Sequence, residues 1–119
     1  MKCLENLLPV IASKTDEIES CRGLPEDLVA ELKSAGVFRN LIPKKYGGLG
    51  TPFLEHIREV QRISQIDAST AWCINQSAVI GTTSLWLAEN QIRDFWGAED
   101  TSVSNGPVSY THLTLPTKA

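Results

Sequence analysis

The sequence predicts an all-α domain, an antiparallel bundle of about five helices. Three observations carry that prediction. Apolar residues recur at three- and four-residue spacing from Leu4 to Trp96. Start and stop signals punctuate them: Pro25, Gly36, Thr51-Pro52, Asp67 and Gly97. One glycine-rich run, Gly36 to Gly50, divides the helices before it from those after it. Only from Thr101 does the pattern turn β-compatible, in Thr-Ser-Val-Ser.

The first helix is expected from Leu4, Leu7, Leu8, Ile11 and Ile18, with Lys14, Asp16, Glu17 and Glu19 on its polar side. Pro9 lacks a backbone N–H, so the firm part should begin near it. Arg22-Gly23 ends that helix. Pro25 then opens a second, with Glu26 and Asp27 at its positive end and Leu24, Leu28, Leu32 and Ala35 as its apolar stripe. Gly36 fits a left-handed C-cap that lets Val37 fold back onto Leu32. Beyond it, Val37, Phe38, Leu41 and Ile42 can be pinned in a core, Pro43 forbids further helix, and Gly47, Gly48 and Gly50 turn the chain.

Thr51-Pro52 restarts the helix, the hydroxyl capping and the proline taking the first position. Phe53, Ile57, Val60 and Ile63 form the expected buried side of a helix ending near Gln65, with Glu55, Arg58, Glu59 and Arg62 solvated. Asp67 or Ser69 caps the next helix, which runs through Ala71, Trp72, Ile74, Ala78 and Val79 until Gly81-Thr82-Thr83. A short turn follows over Ser84 to Ala88. Glu89 to Trp96 closes the helical part, with Ile92, Phe95 and Trp96 on one side and Gly97 as the stop.

With 119 residues the chain is one domain's worth. A net charge of −3 gives no reason to expect nucleic acid, which needs clustered Lys and Arg. Cys3, Cys21 and Cys73 are odd in number and lack metal-ligand spacing, so they read as reduced thiols of a cytoplasmic protein, without a metal site. No basic run followed by an apolar stretch marks a signal peptide. Ala68 to Ala88 carries no charge and approaches the ~20 residues that span a bilayer. Its many amides and hydroxyls argue against insertion and for burial within protein.

Val108 to Thr117 resembles the in-frame translation of a transposase mosaic-end sequencing adapter, residue for residue. The natural sequence, residues 1–107, is therefore expected to end near Pro107, with 108–119 a non-native tail and the frame a truncated piece of a longer protein. That removes His112 and leaves His56 as the remaining histidine.

No catalytic constellation stands out. Tyr46-Gly-Gly-Leu-Gly50 lacks both the spacing and the preceding strand of a phosphate loop and reads as a structural turn. Lys44 and Lys45 read as a solvated pair. His56, on a helix face among charged residues, has no neighbouring Asp, Cys or second His in sequence and reads as neither base nor ligand. Cys73 reads as a small buried hydrophobe, and Trp86 and Trp96 as core or interface anchors. The informative polar residues are Asn75, Gln76 and Ser77, mid-helix in a segment that otherwise wants burial. They either bridge neighbouring helices or, with Trp72 and Val79, line a ligand cavity.

Three ordered blocks carry a resemblance. Leu24-Pro-x-x-Leu-Val, Leu32-x-x-Ala-Gly-Val-Phe-Arg-x-Leu-x-Pro-x-x-Tyr-Gly-Gly-Leu49 and then Asp67-Ala-Ser-Thr-Ala-Trp72 resemble the N-terminal helical domain of the acyl-CoA dehydrogenase superfamily, over residues 4 to 107. The Asp-x-Ser-Thr-Ala-Trp block and the closing Phe95-Trp-Gly and Ser104-Asn-Gly-Pro107 lean to its two-component flavin monooxygenases. The resemblance implies a flavin (FAD or FMN), delivered reduced by a partner reductase, and a small, often aromatic, substrate. It also implies a homo-oligomer in which a β-domain and a C-terminal helical bundle follow this domain. Aromatic hydroxylases of that branch often carry a histidine on the helix after Ser-Thr-Ala-Trp; here Ile80 and Thr83 occupy those places. A dehydrogenase that desaturates acyl-CoA, or an oxidiser of sulfur compounds, therefore stays open, as does a helical interaction module without chemistry. The dehydrogenases' catalytic carboxylate and most flavin contacts lie in later domains, so no catalytic residue is expected here. Trp72, Asn75, Gln76 and Val79 are the expected wall of the substrate pocket.

Overall fold

The computed structural model describes residues 4–98 and 101–103. Within them lie six α-helices: α1 (Leu4–Ser13), α2 (Thr15–Cys21), α3 (Glu26–Ala35), α4 (Phe53–Ser64), α5 (Ala68–Gly81) and α6 (Glu89–Trp96). Short 3₁₀ turns occupy Val37–Arg39, Lys44–Tyr46 and Thr82–Leu85, and no strand is present among the described residues. The predicted all-α class holds. The expected strand beginning at Thr101 is not found over Thr101–Val103, and its continuation from Ser104 lies outside the described residues.

The first expected helix is two. The chain breaks at Lys14, a bent residue whose N–H still reaches the Ile11 carbonyl at 3.0 Å. Pro9 sits inside α1 rather than at its start. Its missing N–H costs a bond to the carbonyl of Glu5, at the exposed surface, while Leu7 and Ile11 on the packed face are wholly buried. Packing outweighs propensity there. Arg22, not Gly23, takes the left-handed cap of α2 at φ 55°.

The α3 end is as the sequence predicts. Gly36 adopts φ 82°, its N–H reaches the Leu32 and Lys33 carbonyls, and Val37 joins Leu32 in the main core. That core gathers Leu7, Ile11, Leu28, Leu32, Phe38, Ile63 and Ile74 from α1, α3, the Val37–Arg39 turn, α4 and α5. A smaller one joins Ile42 to Ile92 and Trp96, seating α6 against the Lys44–Tyr46 turn.

Four further expectations are corrected. Pro52, not Thr51, stands at the N-cap of α4, because the Thr51 hydroxyl donates instead to Asn40 Oδ1 at 2.6 Å. The buried side of α4 is set by His56, Val60 and Ile63, whereas Phe53 is 60% exposed and Ile57 is exposed too. Positions 56, 60 and 63 lie within one narrow arc of the helix, and Phe53 and Ile57 on its shoulder. The turn expected at Ser84 to Ala88 falls earlier, at Thr82–Leu85, and Phe95 lies outside the core.

Arg39 closes the domain. Its guanidinium is buried and donates to the carbonyls of Trp96 (3.0 Å), Ala98 and Thr101 (Nε 3.1 Å, Nη2 2.8 Å). With the Ser77–Ser102 hydroxyl pair at 3.2 Å, it holds the chain leaving α6 against the body of the domain.

Candidate functional site

Helix α5 owes its position to Asp67, whose carboxylate accepts from the Thr70 N–H at 2.7 Å and the Thr70 hydroxyl at 2.6 Å. One face, Thr70, Ala71, Ile74, Ser77, Ala78 and Gly81, is buried. On another arc stand Trp72, Asn75, Gln76 and Val79, spaced i, i+3, i+4, i+7. Trp72 is 65% exposed and Val79 43%, while Asn75 and Gln76 are half-buried. A large indole facing outward from a charge-free helix between two carboxamides can stack on an aromatic ring and hydrogen-bond its polar edge.

The structure joins these four residues by a helix face rather than by an enclosed cavity. Trp72 borders a groove of about 570 Å³ with Arg22, Leu24, Asp67 and Cys73. Of the four, it alone lines that groove. Burial, and secondarily the Asp67 charge, push the Cys73 thiol above its ordinary value, which makes it a poor nucleophile. Among the described residues, no group of His, Cys, Asp and Glu is placed to hold a metal, and no helix is long and apolar enough to cross a membrane.

Behind the outward face runs a polar chain that sequence reasoning missed. His56 is fully buried and lies between two amides: Asn40 Nδ2 at 2.8 Å from Nδ1, and Asn75 Oδ1 at 3.1 Å from Nε2. Asn40, 2% exposed, also donates from Nδ2 to Glu59 Oε2 at 2.8 Å. The sequence reading set His56 on a helix face among charged residues, whereas the structure turns it inward. Its partners come from the Asn40 loop and from α5, remote in sequence. The available signal was the i, i+4, i+7 spacing of His56, Val60 and Ile63, which includes the histidine in a tight apolar arc. Trp96 is buried as expected, whereas Trp86 is 79% exposed and lies outside the core, which leaves the interface half of its expectation.

Residues 5–96 match the family model described as acyl-CoA dehydrogenase, N-terminal domain. The chain is 32% identical over 106 residues to the flavin-dependent monooxygenase, oxygenase subunit HsaA, of Rhodococcus jostii (strain RHA1), covering 87% of this chain and 27% of that protein. It is 30% identical over 76 residues to indole-3-acetate monooxygenase of Pseudomonas putida, covering 64% and 18%. It is 29% identical over 72 residues to the oxygenase component of p-hydroxyphenylacetate 3-hydroxylase of Acinetobacter baumannii, covering 60% and 17%. The crystal structure of 3-HSA hydroxylase from Rhodococcus sp. RHA1 superposes with TM-score 0.74 at 27% identity, covering 83% of this chain and 26% of that one. The chain thus spans about a quarter or less of the length of these relatives.

Proposed function

The chain belongs to the acyl-CoA dehydrogenase N-terminal domain family, and from that premise we propose that it is the N-terminal part of a reduced-flavin-dependent monooxygenase. In this reading residues 1–107 are the native domain and 108–119 an adapter-derived tail, all of it, His112 included, outside the described residues, as is Cys3. The domain walls one side of the substrate and flavin pocket with Trp72, Asn75, Gln76 and Val79. A separate reductase supplies FAD or FMN in reduced form, the full-length protein is a cytoplasmic homo-oligomer, and the substrate is a small aromatic molecule. The flavin, when bound, supplies the redox chemistry. This chain's residues exclude water and orient the substrate beside it.

The observation that carries the reading is the outward arc of α5. An indole and an aliphatic side chain left in solvent beside two half-buried amides fit one wall of a pocket, not a complete one. The exposed Phe53, Leu54 and Ile57 on α4 support the same reading, since the domain leaves apolar surface for other parts of a larger protein to cover. A dehydrogenase parent is the second reading, favoured by Ile80 and Thr83 standing where a hydroxylase histidine is expected.

The test is a chimera in which residues 1–103 replace the matching N-terminal segment of the Rhodococcus jostii HsaA protein. The chimera is expected to consume reduced flavin and oxygen with substrate hydroxylation. Trp72→Ala in it should divert turnover to hydrogen peroxide. A folded, flavin-binding chimera whose product-to-peroxide ratio ignores Trp72→Ala and Val79→Ala would refute the assignment of this face. Micromolar flavin binding by the isolated chain would equally refute placing the flavin contacts in later domains.

A further inference from the structure

The chain from Glu59 to Asn75 fixes the direction of every hydrogen bond in it. A carboxylate accepts and does not donate, so the Asn40 atom at 2.8 Å from Glu59 Oε2 is the amide nitrogen. The other branch of the same amide agrees, since Asn40 Oδ1 accepts from the Thr51 hydroxyl at 2.6 Å. Asn40 Nδ2 has a second hydrogen, and it points at His56 Nδ1, 2.8 Å away. His56 Nδ1 is therefore the acceptor, and the ring proton resides on Nε2. That proton is donated to Asn75 Oδ1 at 3.1 Å. The oxygen of Asn75 is thereby committed inward, and its NH₂ is the branch left for the outward arc between Trp72 and Val79.

We propose that Asn75 presents an N–H donor to a hydrogen-bond acceptor on the bound small molecule, and that His56, set in its Nε2–H tautomer by Asn40 and Glu59, is the positioning residue that fixes this polarity. The inference rests on the reading of the α5 arc as a pocket wall. It adds the chemistry that the wall selects: an oxygen acceptor, as in a phenol or a ring carbonyl, carried on a flat apolar body that Trp72 can cover. A free asparagine can offer either end of its amide at small cost. One whose oxygen is tied to a buried imidazole cannot, because turning it would set its NH₂ against the Nε2–H and leave a buried donor unpaired.

The test uses the whole chain and two probes of nearly equal shape, p-cresol and p-xylene. Long-range proton–nitrogen spectra report the His56 tautomer without any substitution, and side-chain amide and indole signals report Asn75 and Trp72. The expected result is an Nε2-protonated ring, Trp72 shifted by both probes, and the Asn75 NH₂ shifted by p-cresol alone. The affinity ratio of p-cresol to p-xylene should fall roughly fivefold in His56→Leu, the size of one lost hydrogen bond. It should recover in His56→Gln, whose amide can still donate to Asn75. A ring protonated on Nδ1, a p-cresol shift at Trp72 without one at Asn75, or a ratio unchanged in a folded His56→Leu chain would overturn the inference and leave the pocket wall standing. If neither probe shifts Trp72, Asn75, Gln76 or Val79 even in the chimera with the Rhodococcus jostii HsaA protein, which supplies the other walls, the pocket wall falls and takes the inference with it.

Discussion

Replacing Gly48 with alanine should damage this domain more than any other single added methyl in its turns. Residues 39–42 and 48–51 run side by side, joined by Leu49 N–H to Arg39 O (3.1 Å), Gly50 N–H to Ile42 O (2.9 Å) and Thr51 N–H to Asn40 O (2.9 Å). A Cβ on Gly48 would lie 1.9 Å from Ile42 O, 2.4 Å from its carbonyl carbon and 2.5 Å from its Cβ. None of these atoms is the free end of a side chain, so the two segments must part. Parting them breaks the Gly50–Ile42 bond at about 1 kcal/mol and leaves a carbonyl short of its partner at about 1–3 kcal/mol. Ile42 is wholly buried against Ile92 and Trp96, and displacing it adds about 1–3 kcal/mol of packing strain. The expected loss is about 3–7 kcal/mol, against about 5–15 kcal/mol for a whole domain. Urea denaturation followed by far-ultraviolet circular dichroism measures it. Gly23→Ala is the control: a Cβ there meets nothing within 4 Å, so its effect should stay within about 0.5 kcal/mol. A Gly48→Ala protein within about 1 kcal/mol of the parent, at unchanged denaturant slope, would show that the close approach is not what holds this turn.

Two further outcomes test the frame around the site. Arg39→Ala removes the donors to the Trp96, Ala98 and Thr101 carbonyls and should cost about 3 kcal/mol. Limited proteolysis should then cut after Gly97, and Arg39→Lys should recover less than half, since one ammonium cannot span three carbonyls; a cutting pattern like the parent's would sink this. The Lys14–Asp27 ion pair should give stability a dependence at both ends of the pH scale. The Lys14 hydrogen bond holds the Asp27 carboxyl below its usual 3.8, so the contribution is present above that value and lost as pH falls through the lower folded value. Asp27, then Glu17, hold the Lys14 ammonium above its usual 10.5, so that contribution is present below 10.5 and lost as pH rises through the higher folded value. The Tm difference between the parent and Asp27→Asn should be widest at neutral pH and close at both extremes.

What was legible in the sequence is what local chemistry decides. Gly36 as a left-handed cap, Asp67 as an N-cap and Gly97 as a stop each act on residues within one helical turn, so their neighbours suffice to read them. The break at Lys14 was not legible, because Ile18 keeps helical spacing with Leu7 and Ile11 and no Gly or Pro marks the break. The facing of α4 was misread for a sharper reason. Phe53 and Ile57 are apolar and His56 is not, so hydrophobicity points the helix away from its true inner side. A buried imidazole is costly alone and acceptable when both its nitrogens are bonded. Its partners, Asn40 and Asn75, lie 16 and 19 residues away, beyond what periodicity can see.

The misreading of α4 and the exposed arc of α5 have one physical origin. Each helix carries more apolar surface than this domain can cover. In α4 a polar network occupies the inner side, so Phe53, Leu54 and Ile57 are left in solvent. In α5 the core takes Ala71, Ile74 and Ala78, and Trp72 and Val79 are left out. Isolated exposed hydrophobes need no explanation, but paired groups on two packed helices do. The buried His56 of α4 contacts Asn75 of α5 through its Nε2. The domain therefore spends its inner surface on orienting one outward amide and leaves its apolar residues for a surface it does not itself supply. That arrangement is expected of a pocket wall and is wasteful for a free-standing module, and on this ground the enzyme reading is preferred to the interaction-module reading.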